Sequence, residues 1–197
     1  MNQEKKEIVK AMPKAILHIH LDGSLRPETI HKWLQEKGED VTLEEVTKRL
    51  MVDEGCRDLN QYLEKFDLPV ELLQSEEHIE QATYELFVDL AEQNVIYAEV
   101  RFAPSLHTQK GLSYKQIVEA AIRGMNKAKQ ETNIEGNLIL CCMRGENNQE
   151  ENIDTLVVAS EYLGQGVAAV DLAGAEAIFP TEDFEDIFKR AKEKGME

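Results

Sequence analysis

The sequence predicts an α/β fold of parallel strands joined by helical crossovers, either a doubly wound sheet or part of a (βα) barrel. Three observations carry this. Apolar strand-like runs alternate with helix-period segments in the order strand, helices, strand, helix, strand, helix, strand, helix, and such alternation implies parallel pairs with right-handed crossovers. The strand runs are near-continuously apolar, as expected of a sheet covered on both faces. Polar residues collect at the C-terminal ends of different strands: His20 and Asp22, Glu99 and Arg101, Arg144, Asp171. A barrel assembles its site in that way. No Gly-rich phosphate fingerprint follows any strand, which weakens the nucleotide-cofactor version of a doubly wound sheet.

Residues 1–12 are charged around Ile8, Val9 and Met12 and read as a lead-in tail or short helix. Pro13 precedes the first strand, about 15–22. Pro27 sits well at the first turn of a helix that ends near Gly38. Thr42-Leu-Glu-Glu45 is a capping box opening a second helix. Asp58 can cap a third, from Leu59 to about Asp67, with Pro69 beyond it; Leu59, Tyr62, Leu63 and Phe66 share one face at helical spacing. A longer helix follows over 76–94, with Ile79, Ala82, Leu86 and Leu90 on one stripe. The run from Val95 to Pro104 is a strand of β-formers stopped by proline. Ser113 to Gln116 is another capping box and starts a helix to about Thr132. Residues 137–143 form the third strand, 144–149 a polar loop, and 150–163 a helix punctuated by Gly164 and Gly166. The fourth strand spans 167–174, and a last helix runs from about Glu182 to Gly195.

Composition bounds the function. A chain of 197 residues, 42% hydrophobic and 30% charged, is long enough for one sizeable core. Its formal net charge of −16 argues against nucleic acid as a partner, because nothing neutralises phosphates in bulk. A small nucleoside or base is not excluded by that charge. No apolar run approaches the length of a membrane span, and the N-terminus lacks the apolar stretch of a signal peptide. The cysteines, Cys56, Cys141 and Cys142, are odd in number and lack zinc-finger spacing. Reduced thiols in a cytoplasmic protein account for them most simply.

The most informative stretch is Ile16 to Ser24. In an extended strand His18 and His20 project to one face, with Leu17, Ile19 and Leu21 on the other; Asp22 falls on the histidine face and Gly23 ends the strand. Two imidazoles and a carboxylate at one strand end suit a metal, and zinc suits imidazole without redox chemistry. The alternative is a strand that merely carries polar residues. On periodicity alone, Leu59, Tyr62 and Phe66 are ordinary core. His31 and His78 fall on helix faces and read as solvated, and Cys141-Cys142 as packing.

Three blocks, His18 to Thr29, Tyr97 to Pro104 and Asp171 to Gly174, strongly resemble the adenosine deaminase family, in the same order and over essentially the whole chain. The resemblance implies a zinc-dependent barrel of TIM type, and hydrolytic deamination of adenosine or 2′-deoxyadenosine to the corresponding inosine, with loss of ammonia, in purine salvage. It implies His18 and His20 as zinc ligands and Asp22 as a ribose partner. Gly174 would offer its backbone N–H to a purine ring nitrogen, and Leu59, Tyr62 and Phe66 would wall the nucleoside pocket. Glu99, Arg101 and Asp171 match strand-end positions that support the site, with Asp171 the best placed to orient a ligand histidine. The region 27–94 then becomes a helical insertion walling the substrate pocket within a single domain, 1–197. Adenine or a modified nucleoside is the alternative substrate.

Two departures matter. The family usually has an acidic residue after the glycine of the fourth-strand block, where this chain has Ala175 followed by Glu176. The family's third zinc histidine and its catalytic glutamate lie on a His-Ala-Gly-Glu strand beyond a helix like 182–194, and residues 1–197 contain no such strand. The expectation is therefore an incomplete half-barrel of about four βα units, with no catalytic residue of its own, a Zn²⁺ site that is incomplete and weakly loaded or empty, and no meaningful deaminase activity alone. Open barrel edges would then favour self-association or pairing with a C-terminal half. A degenerate, non-catalytic half-barrel acting as a binding protein is the other reading.

Overall fold

The computed structural model describes residues 3–52 and 55–196. Four strands, β1 (Lys14–His20), β2 (Val95–Phe102), β3 (Glu135–Met143) and β4 (Val167–Ala173), form one parallel sheet in sequence order. Around it stand nine α-helices among the described residues: α1 (Gln3–Ala11), α2 (Pro27–Glu36), α3 (Leu43–Leu50), α4 (Leu59–Leu63), α5 (Asp67–Leu72), α6 (Glu76–Glu92), α7 (Tyr114–Glu131), α8 (Gln149–Tyr162) and α9 (Glu185–Glu193). The arrangement is a partial barrel of TIM type, half of the usual eight βα units. Both α3 and α7 open on reciprocal capping boxes, Thr42 with Glu45 and Ser113 with Gln116.

The sheet is not covered equally on its two faces. Ala98, Val100 and Phe102 of β2 and Leu138, Leu140 and Cys142 of β3 face the helices, where they meet the buried stripes of α6, α7 and α8. The opposite face carries Tyr97, Glu99, Arg101, Asn137, Ile139, Cys141 and Asp171, of which Arg101, Ile139 and Cys141 are buried and the others only partly covered. Apolar strand composition therefore overstated the covering: only the outer face is packed by helices.

Three local expectations are corrected. The first strand stops at His20, and between Ile16 and Ile19 its register against β2 shifts. Such a bulge interrupts strict alternation, so Leu17 is 57% exposed while Ile19 packs against the core and Leu21 is buried. The single helix expected over 59–67 is instead α4, a 3₁₀ turn at Glu64–Phe66 and α5, with Pro69 inside α5. Proline is tolerated there because first-turn N–H groups have no intrahelical acceptor. Asp58 caps α4 as expected, accepting from the Gln61 amide at 3.0 Å. Finally, His31 and His78 are half-buried and bonded rather than solvated. His31 Nε2 lies 2.9 Å from the Val41 carbonyl. His78 stacks on Trp33 with ring centroids 4.0 Å apart and meets the Leu72 carbonyl at 2.8 Å.

Candidate active site

At the C-terminal ends of the strands lies an open cavity of about 730 Å³. From β1 and its following turn come His18, His20 and Asp22; from the α4–α5 segment Leu59, Tyr62 and Phe66; from β4 and its loop Asp171 and Gly174. Residues up to about 150 apart in the chain converge because parallel strands all end on the same side of the sheet.

The two imidazoles are brought together, with ring centroids 5.3 Å apart. Burial, then the neighbouring His18 and Arg101, hold His20 below its ordinary pKa, against the pull of Asp171. The neutral imidazole this favours is the form that ligates a metal. Asp22 is buried, its Oδ1 without a hydrogen-bond partner and 3.9 Å from His20 Nδ1. Burial raises its carboxyl to about 6, against the opposing backbone bonds of Asp22 and Gly23. An orphaned buried oxygen at a cavity wall is suited to a ligand hydroxyl. Gly23 is held close to Phe66: a Cβ there would come within 3.0 Å of the ring.

Leu59 and Tyr62 are 46% and 43% exposed, and Phe66 is half-buried. They are not core residues, as periodicity alone suggested, but the apolar wall of the cavity. Tyr62 and Phe66 pack edge to face at 5.4 Å, and Phe66 meets the His20 ring the same way at 6.1 Å. Gly174, directly after β4, has φ +113°, a conformation that favours glycine.

Arg101 bridges three strands beneath the cavity floor. Its guanidinium pairs with Asp171 on β4 and donates to the Leu17 carbonyl of β1 at 2.9 Å. Glu99 lies deeper, mid-strand, where it accepts from the Tyr97 hydroxyl at 3.0 Å; Asn137 completes that group. Neither Arg101 nor Glu99 lines the cavity. Sequence reasoning attached no site role to Cys141 or Met143, and to Arg144 none beyond its place among the polar strand-end residues; all three also line the cavity. The alternation of β3 was the available signal, since Cys141 stands opposite Asp171 in register. Among the described residues no group of three His, Cys, Asp or Glu side chains could hold a metal ion.

Known proteins resemble this chain in sequence and in fold. The adenosine deaminase family model matches residues 13–197. An adenosine deaminase of Haemophilus ducreyi is 42% identical over 187 residues, spanning 91% of this chain and 54% of that protein. A zinc-bound amidohydrolase from Burkhoderia ambifaria superposes with a TM-score of 0.87 over 100% of this chain and 53% of that one, at 22% identity, a likeness of fold. Arabidopsis ADAL complexed with IMP gives 0.81 at 28% identity, covering 96% of this chain and 58% of its own. The chain thus spans about half the length of the relatives it matches. With the family model covering nearly every residue and the half-barrel placing the matching blocks around one cavity, the chain belongs to the adenosine deaminase family.

Proposed function

We propose that residues 1–197 supply the N-terminal half of a zinc-dependent adenosine deaminase site, acting on adenosine or 2′-deoxyadenosine. The observation that carries this is the convergence of His18, His20, the orphaned Asp22 oxygen and Gly174 on one cavity walled by Leu59, Tyr62 and Phe66. His18 and His20 fit two positions of a zinc coordination shell, which in a catalytic site has three protein ligands. When bound, the ion supplies Lewis-acid activation of the attacking water. Asp22 takes a ribose hydroxyl, the Gly174 amide meets a purine nitrogen, and the apolar wall excludes water from the base. Asp171, held by Arg101, keeps its carboxylate directed at the histidine side of the site. The helices of 27–94 form the insertion that walls the pocket, within one domain.

The remaining ligand and the general acid/base come, on this reading, from a segment outside residues 1–197, seated on the open edges of β1 and β4. Zinc content and loss of adenosine absorbance test it. Residues 1–197 alone should show no turnover; adding a polypeptide that carries the His-Ala-Gly-Glu strand should restore it, and His18→Ala or His20→Ala should abolish the zinc retained. Turnover by residues 1–197 alone would refute the divided site. The absence of a three-residue metal cluster among the described residues favours a second reading, a non-catalytic nucleoside-binding half-barrel. Inosine binding that is indifferent to zinc and to the added segment would support that one.

A further inference from the structure

We propose that Arg144 is a positioning residue: it braces the loop between β4 and α9 and so fixes Gly174 against the purine. The proposal rests on the nucleoside reading above. Arg144 leaves β3 one residue after Met143, and its side chain is only 7% exposed although its partner Glu176 is 68% exposed. The guanidinium reaches over the loop and bonds it at three points. Nη1 donates to the Phe179 carbonyl at 2.7 Å, and Nη2 donates to the Thr181 hydroxyl at 2.9 Å and to Glu176 Oε1 at 3.2 Å. Thr181 in turn donates to the same Glu176 oxygen at 3.0 Å, closing the network.

The backbone of Arg144 is equally engaged. Its amide donates to the Ala173 carbonyl at 2.8 Å, extending the β3–β4 ladder by one rung. A Cβ on Gly174 would lie 3.2 Å from the Arg144 Cβ. Arg144 is therefore packed against the glycine and bonded to the loop on its far side. Residues 175–179 make only a turn of their own, the Ile178 and Phe179 amides sharing the Ala175 carbonyl, so an anchor from β3 limits where Gly174 can point. A planar fork with donors on two nitrogens can serve a carbonyl, a hydroxyl and a carboxylate at once; a lysine ammonium cannot span them. Glu176, two residues after Gly174, is the carboxylate the fork holds.

The test compares wild type with Arg144→Ala and Arg144→Lys, in the protein as produced from its own gene and loaded with zinc. It reads local hydrogen exchange by mass spectrometry and the Kd for inosine. Arg144→Ala should speed exchange in residues 174–181 by about tenfold or more while 138–142 of β3 stay protected, and should weaken inosine about tenfold, the loss of one well-placed hydrogen bond. Millimolar guanidinium ion should restore both in Arg144→Ala, and Arg144→Lys should restore neither. Unchanged exchange in 174–181 overturns the brace. Faster exchange with unchanged Kd overturns its link to the ligand, and equal acceleration in β3 reduces Arg144 to a general stabiliser. A wild-type protein that binds no inosine overturns the nucleoside reading itself, while the exchange data still report separately on the brace.

Discussion

Gly124 sits where α7 crosses α6, and replacing it with alanine sets two effects of opposite sign against each other. On an isolated helix the change is favourable by about 1 kcal/mol, because glycine loses more backbone entropy on folding than alanine. In this fold the added Cβ would lie 2.2 Å from the Glu80 carbonyl oxygen, and 3.0 Å from both the Thr83 Cβ and the Tyr84 amide nitrogen. The first of these is more than 1 Å short of ordinary contact, and its obstacle is backbone, which cannot rotate away. The helices must part, and the buried residues on either side of the crossing, Ile79, Thr83 and Phe87 on α6 and Ala121, Met125 and Ala128 on α7, lose packing with them. Overpacking of this kind costs about 1–3 kcal/mol, with a backbone obstacle at the upper end, so the net destabilisation is about 2 kcal/mol. The Arg123 pairs with Glu76 and Glu80 flank the crossing but are largely exposed, and pairs of that kind contribute about 0–1 kcal/mol. They cannot compensate. Urea unfolding followed by far-ultraviolet circular dichroism should show a midpoint lowered by about 1 M at unchanged slope. A midpoint that is unchanged or raised would mean that α6 and α7 do not approach as described, and would refute the reasoning.

Two further predictions concern buried titratable groups. His107 is fully buried, and burial pushes its imidazole down to about 4 from 6.5, against the opposing Leu73 backbone. The unfolded chain takes up a proton below pH 6.5 that the folded chain refuses until about 4, so roughly 3 kcal/mol of stability present above pH 6.5 is lost across that interval. His107→Leu should flatten the dependence of the urea midpoint on pH between 6.5 and 4 relative to wild type, a difference in which the opposite contribution of Asp22 cancels; parallel curves would disprove it. Cys141 and Cys142 are buried, with thiols pushed well up and to about 12 respectively, whereas Cys56 is partly exposed. Only one of the 3 cysteines should therefore react rapidly with a thiol reagent in the folded protein, and all of them in denaturant. Fast labelling of Cys141 through the cavity would count against its burial.

Much of this fold is legible in the chain because its determinants are local. Capping boxes at Thr42 and Ser113, proline at the start of α2 and the alternation of strands with helices act within a few residues, and the helices open where those signals stand. The pairing of His18 with His20 is equally local, since a spacing of two in a strand puts both rings on one face despite the bulge. What the sequence by itself determined is thus the alternating βα order, the family and the meeting of His18 with His20 on β1. Tertiary structure alone decided how those residues are used. The α4–α5 segment carries an apolar stripe that periodicity assigns to the core; whether such a stripe meets a core or a cavity depends on which neighbours the fold leaves absent, and here Leu59 and Tyr62 face open space. Glu99 and Arg101 differ by two residues, yet one bonds within its own strand and the other spans three strands, because reach across a sheet depends on register and side-chain length. The grip of Arg144 on a loop more than thirty residues away is of the same kind: a long-range contact has no periodicity, and only the folded chain brings its two ends together.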